Sequence, residues 1–227
     1  NTTSGFSIMT YTGTGTDNDS LGHGLGAVPH VIAVKNRDET NGWQVYHHKN
    51  TGSPETDYLN FNDTGATADD HDRWSDQAPS STIITLGGND GVSKANVKYV
   101  CYAFAPIQGY SKFGSYLGNA NADGPFVYTG FKPAWVMIRN TENGEGWMLH
   151  DTTVDDATKT GNTVEQRFQV NENQAEVGTT TAFDFVSNGF KVRTDTTSHN
   201  GNGHTIIYMA FAESPFVSSK GVPTTAR

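Results

Sequence analysis

The sequence predicts an all-β protein of two tandem, structurally similar β-sandwich or barrel lobes packed together, with little helix. Three observations carry this reading. The chain is written twice, its apolar residues fall in short runs between polar turns, and no window of a dozen residues keeps a 3.6-residue period. Gly5-Phe6-Ser7 returns as Gly109-Tyr110-Ser111, an offset of 104 (109−5). Pro29 returns as Pro133 and Gly42-Trp43 as Gly146-Trp147 at the same offset. Tyr102-Ala103-Phe104-Ala105 returns as Met209-Ala210-Phe211-Ala212 at 107 (211−104), so the second copy has gained three residues. The copies define lobes over 5–105 and 109–216 and leave a polar tail, 217–227. A linker of three residues, Pro106 to Gln108, predicts lobes that sit against each other.

Along the first copy, Phe6 to Thr12 alternates as a strand, and Gly13 to Ser20 is turn-forming. Val28 to Asn36 is a nearly unbroken apolar run behind Pro29, the pattern of a strand covered on both faces. Asn41-Gly42 then supplies a turn, and Trp43 to His47 alternates again, so these two strands form a hairpin. Ala66 to Trp74 admits a helical turn or two, and Lys98 to Ala105 closes the copy as a strand. The second copy repeats the device with Trp135 to Asn140, a loop at Asn143-Gly144, and Trp147 to His150. Phe183 to Val186 and Phe190 to Arg193 flank Ser187-Asn188-Gly189, a short hairpin, and Thr205 to Ala212 is the last strand. Core positions tolerate change only if volume and pattern are kept, so Trp43 should match Trp147 and Phe104 should match Phe211. The loops Asp63 to Ser81 and Thr152 to Thr163 should differ most between copies.

Composition narrows the function. With 24 acidic against 15 basic residues the net charge is −9, which repels phosphate backbones and anionic bilayers, so neither nucleic acid nor membrane is expected as a partner. No apolar stretch approaches the roughly 20 residues that cross a bilayer. Cys101 is the single cysteine, which rules out an internal disulfide, and its strand context reads as a buried, inert thiol. The polar start Asn1-Thr2-Thr3-Ser4-Gly5, with neither initiator Met nor signal peptide, reads as a cut from a longer polypeptide.

Catalytic signatures are missing from the sequence: no His-Glu-x-x-His, no Gly-x-Ser-x-Gly, no P-loop and no paired-cysteine zinc spacing. No enzyme and no resident cofactor are therefore expected. The glycines of Gly13-Thr14-Gly15 and Gly22-His23-Gly24-Leu25-Gly26 precede no helix and are assigned to turns. Oxygen-rich loops can ligate Ca²⁺. Asp17-Asn18-Asp19, Asp69-Asp70-His71-Asp72 and Asp155-Asp156 are three such patches, with Asp17 and Asp19 the candidate ligands, although none has EF-hand spacing. His47 and His48 are adjacent, so strand alternation turns them to opposite faces. Tyr46 and His150 occupy equivalent positions in the two copies, as do Trp43 and Trp147. Trp74 lies in the polar run Asp72-Arg73-Trp74-Ser75-Asp76-Gln77 and has no counterpart tryptophan. An aromatic among Asp72, Arg73 and Gln77 in a loop is the sort of group that meets a ligand, with Arg73 and Trp74 leading.

Two long segments and the closing strand carry a resemblance. They are Gly109-Tyr110-Ser111-Lys112-Phe113-Gly114-Ser115-Tyr116, the run from Asp123-Gly124-Pro125-Phe126 through Lys132-Pro133-Ala134-Trp135 to Ile138, and Ile206 to Phe216. Together they resemble an uncharacterised, duplicated β-rich domain of tailed-bacteriophage virion and tail-fibre proteins, notably of marine phages, which often follows a concanavalin-A-like jelly roll. The resemblance spans practically the whole chain. It implies a virion structural protein at the particle surface, assembled in the host cytoplasm and acting outside the cell, with other virion proteins as partners. A tail-fibre adhesion module that binds a bacterial surface glycan or receptor is the leading expectation. A capsid, neck or head-fibre decoration without a ligand is the alternative, and a glycan depolymerase is a third. Virion context also implies a homotrimer, which no heptad repeat in this chain encodes.

Overall fold

In the computed structural model, residues 1–154 and 161–215 are described, so the acidic pair Asp155-Asp156 and the 217–227 tail lie outside the described residues. The chain divides into two units, the first ending at Pro106 and the second starting at Ile107. The first contains β1 (Phe6–Thr12), β2 (Asp19–Gly22), β3 (Val31–Asn36), β4 (Gln44–His47), β5 (Asp57–Asn60), β6 (Ala68–Asp69), the single-turn helix α1 (His71–Trp74), β7 (Ile83–Leu86) and β8 (Lys98–Phe104). Six strands form an antiparallel sheet in the order β1-β8-β3-β4-β5-β6, and β2 pairs with β7 in a second sheet. On β8, Tyr99, Cys101 and Ala103 turn inward in strict alternation, while β3 lies between two neighbours and is buried almost throughout. Ile84 and Leu86 of β7 pack with Ile32, Val34, Tyr99 and Cys101, so the two sheets share one core as a sandwich.

The second unit contains β9 (Ser111–Leu117), β10 (Phe126–Tyr128), β11 (Pro133–Asn140), β12 (Met148–Asp151), β13 (Thr163–Gln169), β14 (Val177–Val186), β15 (Gly189–Val192), the short helix α2 (Thr197–Asn200) and β16 (Thr205–Ala212). Its strands form one eight-stranded sheet, β10-β15-β14-β13-β12-β11-β16-β9. The ends of this sheet meet: Lys112 on β9 donates to the Tyr128 carbonyl on β10 at 2.7 Å, so the sheet is nearly closed, like a barrel. Phe183, Phe185 and Phe190 centre its core with Val136, Ile138 and Ile206. The hairpin read from the sequence is β14–β15, with Val186 opposite Gly189. Among the described residues no helix is long and apolar enough to cross a membrane.

The copies share order and register. The set β1-β8-β3-β4-β5 reappears as β9-β16-β11-β12-β13. Val34 lies opposite Cys101 as Ile138 lies opposite Tyr208, and Leu21 opposite Ile84 as Val127 lies opposite Phe190. Hydrogen bonds repeat too. The Trp43 and Trp147 amides each donate to an asparagine Oδ1, of Asn62 and Asn171, and Asn36 and Asn140 each donate to a carbonyl, of Asp90 and Thr197. One sequence match needs correction. Gly5 and Gly109 both have positive φ, yet Phe6 opposes Phe104 while Ser111 opposes Phe211. The second copy therefore has one more residue between that glycine and its first paired strand.

The larger difference lies beyond β6. In the first unit Asp70 caps α1 by accepting from the Asp72 amide, and the helix stops at Ser75, which has a left-handed φ of 51°. The turn covers the edge of β7, where Ser75 donates to the Leu86 carbonyl. In the second unit β14 runs ten residues and pairs with both β13 and β15, which joins what the first unit keeps as two sheets.

Tyr11 and Tyr116 pin the turn that precedes each closing strand, donating their hydroxyls to the carbonyls of Val92 and His199. Removing either hydroxyl leaves a carbonyl unsatisfied. Tyr11→Phe and Tyr116→Phe should each cost about 1–3 kcal/mol in urea unfolding. Equal loss from both would reflect the shared architecture, and no loss from Tyr116→Phe would contradict it.

Candidate functional site

The ligand candidates of the first unit do not form one site. Trp74 is 2% exposed, so its reading as a ligand-facing aromatic is corrected. From α1 its ring points into the core, edge-on to Tyr46 at 6.1 Å, and its indole N–H donates to the Asp57 carbonyl at 3.1 Å. Arg73 is held within the unit. Its guanidinium lies 4.3 Å from the centre of the Tyr58 ring, its Nε is 3.2 Å from an Asp70 carboxylate oxygen, and its Nη1 donates to Asn89. Asp72 and Gln77 are exposed.

The two aspartates nominated for metal are likewise parted. Asp19 turns to its own loop, accepting from Thr14 and from the Ser20 amide. Asp17 instead joins His71 and Asp72, with one ligand atom from each within 4.8 Å of the others. His71 also lies 3.1 Å from Asp76, whose hydrogen bond raises the imidazole above its ordinary value. An imidazole in the set suits a transition-metal dication better than Ca²⁺, which takes oxygen ligands. The pairing of a histidine just before β3 with one just after β4 was also invisible in the sequence: His30 stacks on His48 at 3.7 Å, and burial with that neighbour pushes His30 down to about 4.

The second unit builds a cavity. Between the pairs Val164–Phe183 and Gln166–Gly178, β13 advances two residues while β14 advances five, so the ladder opens there. A cavity of about 240 Å³ lies against this irregularity. Glu165 and Arg167, two apart and thus on one face of β13, line it with Val177 and Ala182 of β14. Thr194 and Thr196 contribute from the segment after β15, and His199 from α2.

Behind His199 runs a buried polar chain whose proton positions follow from its end. The Gln166 carbonyl can only accept, and it lies 3.0 Å from His150 Nδ1, so that nitrogen carries the hydrogen. His150 Nε2 is then a lone pair, and His199 Nε2, 3.0 Å away, must be the donor. His199 Nδ1 accepts in turn from Ser198 Oγ at 2.8 Å and Thr196 Oγ1 at 3.1 Å. Both rings are neutral. Burial pushes His150 down to about 3 and His199 well below the usual range, the latter further because His150 is beside it.

Strand register gives each of these residues a counterpart in the first unit. His150 stands where Tyr46 does, and His199 stands where Val92 does, because Tyr11 and Tyr116 donate to those two carbonyls. Phe183 meets His150 edge-on at 4.8 Å, as Trp74 meets Tyr46. Gln166 and Arg167 match Asp57 and Tyr58, and Thr196 matches Asn89. The space lined by Arg167 and Thr196 in the second unit is therefore filled in the first by the Arg73 guanidinium. The Tyr46–His150 equivalence was legible in the sequence; its partner His199, 49 residues further on, was not.

Frame and site together describe a duplicated all-β domain in which the space that Arg73 takes up in one copy is a polar cavity in the other. The chain belongs to the family described as Domain of unknown function (DUF7483), which matches residues 1–215. No curated protein and no solved structure matches it.

The histidine pair sets a pH dependence. In the unfolded chain both imidazoles titrate near 6.5, whereas folded His150 titrates near 3. The unfolded state thus binds more protons below about pH 6.5, so stability is full above that value and falls as pH drops toward about 3. H150Y/H199V, which installs the first unit's residues, should show a smaller loss of urea midpoint between about pH 7 and about pH 5 than the unsubstituted chain. Equal losses would mean that the pair is not buried neutral.

Proposed function

We propose that the chain is a non-enzymatic adhesion module on the surface of a tailed-bacteriophage virion, with the second unit's cavity as its contact with a bacterial surface glycan. The observation that carries this is the cavity itself, open where the first copy is filled by Arg73. A carboxylate, a guanidinium and two hydroxyls offer the mixed donors and acceptors that sugar hydroxyls require, and Val177 with Ala182 offers an apolar wall for ring C–H groups. The virion context rests on the motifs from Gly109 to Tyr116 and from Asp123 to Ile138. In that context the partners are other virion proteins, in a homotrimer.

The non-enzymatic reading has a chemical basis. Glycosidic cleavage generally uses two carboxyl groups about 5–10 Å apart, and Glu165 is the one carboxylate among the described lining residues. His199 Nδ1 already accepts two hydroxyls, and burial makes it a poor base near neutral pH.

Purified chain should adsorb to host cells and to their surface polysaccharide. Glu165→Gln and Thr196→Val should each weaken adsorption about tenfold, the equivalent of one lost good hydrogen bond. Density for the chain should lie at a fibre and not on the capsid lattice. Lack of adsorption to cells and polysaccharide alike would overturn the reading, and released reducing ends would replace it with a depolymerase.

A further inference from the structure

We infer that the cavity of the second unit is selective for an acidic sugar, a single pyranose ring bearing a carboxylate, with Arg167 receiving the carboxylate and Glu165 the ring hydroxyls. The inference rests on the adhesion reading above and names the ligand class of the same site.

The first copy shows what this space accepts. There a planar guanidinium lies over Tyr58, tied to Asn89 on one side and Asp70 on another. In the second unit the chain that would carry such a plug is the extended strand β14, and the wall has gained a positive charge. Arg167 stands in the place of Tyr58, so the cation belongs to the wall and not to the occupant. A planar group of opposite charge that fits such a cation is a carboxylate, which guanidinium binds through two parallel hydrogen bonds.

The remaining lining defines the rest of the ligand. Glu165 lies on the same face as Arg167, two residues away, and an ionised carboxylate can only accept. It repels a second anion but takes hydrogens from hydroxyls, so the occupant must be anionic at one end and hydroxylated at the other. Thr196 adds an oxygen that can accept, held in place through its contacts to Thr194 and His199. Val177 and Ala182 suit the C–H edge of a ring. The volume, about 240 Å³, is below the roughly 300–1,000 Å³ of pockets for drug-sized ligands, which leaves room for one ring. With a net charge of −9 the chain as a whole does not attract anions, so selectivity must come from the local Arg167 contact and affinity per site should be weak. Several copies on one particle would raise it by avidity.

The test is an NMR titration of the intact chain, following the His150 and His199 ring signals and the Arg167 Nε–H signal. The probes are glucuronate, glucose, acetate and alanine. Glucuronate should shift these signals with an affinity at least about tenfold above glucose, because the charged contact is one that glucose lacks. Acetate should bind more weakly than glucuronate. R167Q should bring glucuronate down to the level of glucose, and R167K should retain part of the preference. The comparison of ligands on the unsubstituted chain stands even if R167Q fails to fold. Glucose binding as well as glucuronate would overturn the acidic-sugar inference and leave glycan adhesion intact. Alanine binding more tightly than glucuronate would make the site one for amino acids and overturn both. No shift with any probe would overturn the inference, while adsorption to cells would still decide the adhesion reading by itself.

Discussion

Each unit depends on the antiparallel ladder between its central strand and its closing strand, β3 with β8 and β11 with β16. Because strand side chains alternate, a slip of one residue in that ladder would turn every core residue to the other face. The register is the same in both copies, with Val34 opposite Cys101 and Ile138 opposite Tyr208. From it follow the placement of the flanking strands and the tyrosine that clasps the turn before the closing strand.

On this common frame the second copy carries a polar chain where the first has Tyr46 and Val92. Burying two imidazoles is costly unless each nitrogen finds a partner. Here each does, from the Gln166 carbonyl through His150 and His199 to Ser198 and Thr196. The Gln166 carbonyl that anchors the chain lies at the irregularity of β13 and β14, and its counterpart at Asp57 accepts instead from the Trp74 indole. The same backbone acceptor is thus satisfied by a hydrophobic anchor in one copy and by a polar network in the other. A satisfied network of this kind holds its members rigidly, so His199 gives the cavity a fixed wall.

The segment that covers each sheet decides whether the space beside Asn89 or Thr196 is filled. A capped single turn places Arg73 and Trp74 inward in the first unit, and a ten-residue strand passes over the same region in the second. The copies therefore differ in backbone path at the covering segment, while the ladders have kept their register through many side-chain changes.

Much of this was legible in the residues. The strands Phe6–Thr12 and Thr205–Ala212, the β14–β15 hairpin, the buried thiol of Cys101, the brevity of the helix near Trp74 and the repetition of the fold follow from local alternation, turn chemistry and a repeated text. Those signals report burial one or two residues at a time, and the strands obey them. The inward turn of Trp74 was not legible, because a single helical turn among polar neighbours has no period to read. Nor was the separation of Asp17 from Asp19, which depends on where the His71 turn packs. The pairing of His150 with His199 and the vacancy beside Arg167 were beyond the sequence for the same reason. They join residues far apart in the chain, and only the packing of covering segments onto a fixed sheet register determines which of them meet.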